Sequence, residues 1–273
     1  MNRTNRPSWK TFLAVATLAL AAAIAEPRAL AAASRPNIVL ILADDLGWSD
    51  VGCYGGEVST PNIDTLAKGG LRFTQFYNNA VCGPSRASLL TGLYAQRVGH
   101  SGAHWNQPTD FQRSITLGEA LQRAGYHTMM VGKWQDPDLL ARHGFHRFFG
   151  TMCAGKISYF NEVQLDPYFL DEKRVKLPED FYLTDALTDH ALKFLDDRAA
   201  KPATNKTPFF LYVAHIAPHW PLHSREADIA MTRLFGGFPP RFYDAYLSEV
   251  PLSPGWEERV DLLTPYGYTD VRI

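Results

Sequence analysis

From Asn37 the chain runs Ile-Val-Leu-Ile-Leu-Ala without a polar break and then meets Asp44 and Asp45. An unbroken apolar run of this length suits a strand buried on both faces of a mostly parallel sheet, since a half-exposed strand would alternate. A helical pattern comes next, with Thr60 as N-cap, Pro61 at the first helical position, Ile63, Leu66 and Ala67 on one face, and Gly69-Gly70 as the stop. Another helix is expected to begin near Pro84. The stretch "TLGEALQRAG" predicts a helix stopped by Gly125, and "YHTMMVG" predicts a strand leading into Lys133. Further on, "LTDALTDHALKFLDD" places Leu183, Leu187, Ala191, Phe194 and Leu195 at helical spacing, ahead of a polar loop and the strand "PFFLYVA". Strands alternating with helices predict an α/β fold, a largely parallel sheet sandwiched by helices. In such sheets ligands collect at the carboxyl ends of the strands.

The two ends break this pattern. Arg3, Arg6 and Lys10 precede an uncharged run from Thr11 to Ala25, and small-residue cleavage signals follow before Ser34. Residues 1–33 therefore read as a signal peptide, and the apolar run is short for a membrane span of ~20 residues. An exported protein with no stable membrane anchor is expected. Residues 34–235 form the expected domain. From Gly236 the prolines 239, 240, 251, 254 and 265 interrupt any periodicity, so 236–273 reads as an irregular Pro-rich tail with no assigned role.

Composition narrows the function by exclusion. With 27 basic residues against 28 acidic ones the formal charge is −1, and no run of one sign marks a nucleic-acid or anionic-membrane partner. Three cysteines are too few for a disulfide scaffold and odd in number for an exported chain. Cys53 and Cys153 are either a pair or two small buried residues. Cys82 stands apart because of its neighbours.

Those neighbours are "CGPSRASLLTG". The stretch resembles the signature of the type I sulfatases of the alkaline-phosphatase superfamily, Cys-x-Pro-Ser-Arg followed by Thr-Gly. Its six fixed positions would coincide by chance on the order of once in 10⁸ start points. The resemblance implies that Cys82 is oxidised by a maturation enzyme, a formylglycine-generating enzyme or its equivalent, to an aldehyde that hydrates to a geminal diol. The reaction explains the need: one hydroxyl attacks sulfur, and loss of the proton from the other re-forms the carbonyl and expels sulfate. A serine would instead be left sulfated. Arg86 is implied to hold the diol and balance negative charge. A position just before a helix also lies at the positive end of its dipole.

Three further segments match the same family in order. Asp44 and Asp45, with Cys82, are implied metal ligands for Ca²⁺, or for Mg²⁺, whose preference is for hard oxygen donors. "VGKWQ" resembles the family's Gly-Lys-Trp-His segment, so Lys133 is implied to contact sulfate. Gln135 stands where the family has a histidine, and glutamine cannot take a proton near neutral pH, which predicts a slow or trapped elimination step. "APHWP" matches the segment whose histidine protonates the leaving alcohol, here His219, while His215, His223, His100, His104 and His127 match no family role.

The resemblance implies hydrolysis of sulfate monoesters, aryl or carbohydrate, so a sulfated small molecule or glycan is the expected partner. A phosphate or phosphonate monoester hydrolase of the same superfamily, and a non-catalytic remnant or sulfated-glycan binder, are the competing readings. The resemblance spans roughly Arg35 to Ala230. Downstream, Asp261 and Asp270 lack the neighbours of the family's Asp-Asn or Asp-His metal pair, and no second sulfate-binding lysine is found. A truncated or frameshifted reading frame, with an exposed sheet edge, is the expectation that follows. The sequon at Asn205 matters only in a glycosylating host.

Overall fold

The computed structural model describes residues 35–56, 58–99, 110–111, 114–134, 143–152, 159–160, 167–202, 206–220, 223–226 and 228–229. The expected leader, the Pro-rich tail, Gln135, Cys153, Asn205, His100 and His104 lie outside them. The chain divides into two compact units, Met1–Pro36 and Asn37–Ile273, and every described element belongs to the second.

Six strands form one sheet in the order β1-β6-β2-β3-β4-β5. They are β1 (Ile38–Leu42), β2 (His127–Lys133), β3 (Arg147–Thr151), β4 (Tyr168–Leu170), β5 (Lys173–Val175) and β6 (Phe209–Ala214). The ladders β1/β6, β6/β2 and β2/β3 are parallel, and β3/β4 and β4/β5 are antiparallel. The mostly parallel α/β sheet expected from the alternation is therefore present. Its register pairs Leu42 with Ala214, Ala214 with Gly132 and Lys133 with Thr151, so four strands end together at one rim.

Among the described residues four α-helices accompany the sheet: α1 (Pro61–Gly69), α2 (Cys82–Thr91), α3 (Leu117–Arg123) and α4 (Leu183–Ala199). The α4 positions Leu183, Leu187, Ala191 and Phe194 are buried, as their spacing predicts. They pack with Met129, Val131, Leu211 and Val213 on one sheet face. Alternation along the strands sends Met130, Phe210 and Tyr212 to the other face, where Leu90 of α2 joins them. Burying side chains of this size stabilises by about 1.5–3 kcal/mol each. The start of α3 is a capping box: Glu119 N donates to Thr116 Oγ1 at 3.0 Å and Thr116 N to Glu119 Oε2 at 2.6 Å. Gly125, with φ +82°, follows its end.

Four expectations need correction. β1 is an edge strand and is not buried on both faces; Val39 and Ile41 are 52% and 60% exposed. Among the described residues its ladder is with β6 alone, and α4 packs over β2, β3 and β6 instead. The apolar α1 face named from the sequence is open too, with Ile63 at 44% and Leu66 at 70% exposed. Thr60 precedes α1, but its hydroxyl accepts from Gly52 N and donates to Asp64 rather than capping a helical N–H. The helix expected near Pro84 begins at Cys82. Cys53, in the turn Gly52–Tyr54, is a half-buried thiol.

At the amino end of β2, His127 and His146 stack with ring centroids 4.9 Å apart. Burial, then the charges of His146, Arg198, Arg147 and Lys201, push His127 down from 6.5 to about 4. Above pH 6.5 the ring is neutral in both folded and unfolded chains. As pH falls from 6.5 to about 4 the unfolded chain takes up a proton that the folded one resists, so stability falls across that window and then levels off. Thermal unfolding midpoints across this range are expected to drop, and His127→Gln to flatten part of the drop. An unchanged pH dependence in that variant would count against the half-buried His127 as its source.

Candidate active site

The signature around Cys82 is a structural unit. Cys82 is the first residue of α2, after the extended Val81. Pro84 fits the first turn, where a helical N–H has no partner to lose. Ser85 Oγ accepts from Asn79 N at 3.1 Å, and Asn79 Nδ2 donates to Ser88 Oγ at 3.0 Å, fixing the approach to the helix. At the far end Thr91 Oγ1 donates to Ala87 O, and Gly92, with φ +68°, donates its N–H to Ser88 O. The half-buried Cys82 thus sits at the N-terminus of a ten-residue helix, one turn before Arg86.

Arg86 points inward and is 3% exposed. One terminal nitrogen donates to Lys133 O at 3.1 Å and lies 3.5 Å from Tyr212 Oη. The other donates to His215 O at 3.1 Å and lies 3.3 Å from Asp44 Oδ1. Asp44 Oδ2 accepts from Lys133 Nζ at 2.7 Å, and Lys133 is completely buried. Burial pushes the Asp44 carboxyl up, but the Arg86 and Lys133 charges and the Lys133 hydrogen bond together outweigh it and hold it below its ordinary value. One carboxylate against two cations leaves this cluster with surplus positive charge.

The backbone beneath it leaves no slack. Gly132, just before Lys133, has φ +110°, and a Cβ there would lie 1.9 Å from Ala214 O. No side chain fits, which accounts for the glycine preceding this lysine.

Asp45 (φ +61°) is exposed, and its Oδ2 lies 3.7 Å from His219 Nε2. His219 Nδ1 contacts Trp220 O, which leaves Nε2 as the nitrogen facing the carboxylate. The loop carrying His219 follows β6 and is stitched to the end of β1: His215 N donates to Leu42 O at 2.8 Å and Asp44 N to Ala217 O at 3.2 Å. Burial lowers the pKa of His215, which keeps it neutral as a packing residue.

Strand ends, α2 and the β6 loop thereby bring Asp44, Arg86 and Lys133 into one cluster, with Asp45 and His219 adjoining. Two residues joined to this site were not singled out by sequence: Tyr212, which reads as one more apolar strand position, and Tyr159, whose hydroxyl donates to His219 O at 2.9 Å.

A sequence profile of the Sulfatase family matches residues 36–250. The chain belongs to the sulfatase family. It is 32% identical over 236 residues to an arylsulfatase of Klebsiella aerogenes, covering 79% of this chain and 49% of that one. Arylsulfatase A of Bos taurus is 37% identical, covering 77% of this chain and 45% of the relative. Among solved structures, Ps i-CgsB matches with a TM-score of 0.65 and 32% identity, over 86% of this chain and 56% of that one. BT4656, solved with D-glucosamine-2-N,6-O-disulfate as its substrate, matches with a TM-score of 0.63 and 30% identity, over 75% and 39%. This sulfatase chain spans about half the length of the curated relatives it matches.

The donors suit a hard divalent ion in type, being carboxylate oxygens on Asp44 and Asp45. In number they fall short of the six to eight oxygens that Ca²⁺ takes, and the described residues hold no group of three His, Cys, Asp or Glu side chains placed for a metal.

Proposed function

We propose that the chain carries the nucleophile end of an exported hydrolase of sulfate monoesters, acting on aryl or carbohydrate sulfates. The carrying observation is the buried Asp44–Arg86–Lys133 cluster packed against the helix whose first residue is Cys82. Cys82 oxidised to formylglycine would supply a nucleophile that regenerates itself, and a Ca²⁺ or Mg²⁺ ion on Asp44 and Asp45 would withdraw charge from the sulfate. Arg86 and Lys133, buried with Asp44 beneath the strand ends, leave a surplus of positive charge that favours an anion at that rim, and the α2 N-terminus adds its dipole. His219, whose Nε2 lies 3.7 Å from Asp45, would give a proton to the departing alkoxide. Export through the N-terminal leader is part of the proposal; among the described residues no helix is long and apolar enough to cross a membrane.

The test is peptide mass spectrometry of Cys82 in the exported protein, together with turnover of 4-nitrocatechol sulfate in the presence of Ca²⁺. Formylglycine with turnover is the expected result. Unmodified cysteine and no turnover, in a host that matures an intact sulfatase, would favour a sulfated-glycan binder.

A further inference from the structure

His219 is held by its backbone as well as by its side chain. Its loop is pinned at Leu42 and Asp44 through His215 and Ala217, but those contacts precede His219 in the chain. At the His219 peptide itself the N–H donates to Ile216 O at 2.8 Å within the loop, and the carbonyl is held from outside the loop by Tyr159, sixty positions upstream, whose hydroxyl donates to His219 O at 2.9 Å. Tyr159 is 2% exposed and is itself anchored, because Leu183 N at the start of α4 donates to Tyr159 O at 2.8 Å. Its ring packs tilted against Tyr182 at 6.5 Å and edge-on to His223 at 6.3 Å. Burial and, next, the Asp44 charge push the phenol's pKa up, so the hydroxyl stays a donor at any working pH. Tyr159 therefore works as a strut between α4 and the His219 loop.

We propose that Tyr159 is a positioning residue for His219: its hydroxyl, by fixing the His219 carbonyl, sets the place of the imidazole beside Asp45. The inference rests on the acid role given to His219 above. A proton donor displaced by a fraction of an ångström loses most where the leaving group needs the proton most, which is with alcohols of high pKa.

Tyr159→Phe keeps the ring and its packing and removes one donor. In the full-length exported chain its melting temperature is expected to stay close to that of the wild type. Its kcat on an alkyl sulfate is expected to fall about tenfold or more, with KM unchanged, while 4-nitrocatechol sulfate, whose leaving group needs little protonation, is turned over nearly as before. Equal losses on both esters would mark a merely structural residue and overturn the proposal. Amide hydrogen exchange gives a readout independent of turnover: residues 215–220 are expected to exchange faster in Tyr159→Phe, with 209–214 unchanged. Unchanged exchange at 215–220 would overturn the strut. Faster exchange there in a chain whose wild type hydrolyses neither ester would uphold the strut and sink the sulfatase reading.

Discussion

Asp44→Ala is expected to destabilise the fold by about 3–5 kcal/mol, because it strips the counter-charge from two buried cations. Asp44 is 4% exposed, Arg86 3% and Lys133 0%, so water cannot take over the neutralising role. Arg86 would keep Lys133 O and His215 O as acceptors, but Lys133 Nζ would lose the carboxylate it now donates to at 2.7 Å. Removing both ends is therefore expected to hurt less than removing one: Asp44→Ala with Lys133→Met should recover about 0.5–3 kcal/mol relative to the sum of the single changes. Urea unfolding of the four proteins measures this directly. Single variants within about 0.5 kcal/mol of wild type would mean the cluster behaves as a surface feature. The sign with pH also follows: a carboxyl held below its ordinary value lends stability above that value, and this is lost as pH falls toward the folded-state pKa.

Much of this architecture was readable where local pattern and tertiary role agree. The spacing of Leu183, Leu187, Ala191 and Phe194 names the α4 face, and the apolar runs of β2 and β6 match strands buried on both sides. The run in β1 looks the same in sequence, yet Val39 and Ile41 are exposed, because burial depends on which strands and helices come to lie beside it. β4 and β5 have three residues each and meet at a turn where Asp171 takes φ +56°, too short for periodicity to register. The site divides the same way. Motif resemblance singles out Cys82, Arg86, Asp44, Asp45, Lys133 and His219 as candidates, and the structure brings the last five near one another. What no motif states is that Lys133 spends its ammonium on Asp44 inside the core, or that Tyr159 reaches the His219 backbone. A lone tyrosine in an apolar stretch reads as packing.

Cys82→Ala is expected to lower turnover of 4-nitrocatechol sulfate by at least about 10⁴-fold, the scale on which an enzyme loses its nucleophile. Stability should barely change, since the side chain is half-buried and alanine is the best helix former for a first-turn position. Cys82→Ser separates attack from release. Its hydroxyl can give up its proton to solvent and form an O–S bond while the S–O bond to the alcohol breaks and His219 gives its proton to the alkoxide. Having no second hydroxyl on the same carbon, it cannot then re-form a carbonyl and push sulfate out; water would have to attack a crowded, anionic sulfur. The expected result is one equivalent of alcohol per chain, with sulfate retained on the peptide containing residue 82, and repeated turnover by this variant would overturn the reading of Cys82. If the wild type also stops near one equivalent, the fault lies at Gln135, which cannot accept the proton that release requires. Gln135→His would then restore multiple turnover in the wild-type background but not in Cys82→Ser, where no second hydroxyl exists for the imidazole to deprotonate.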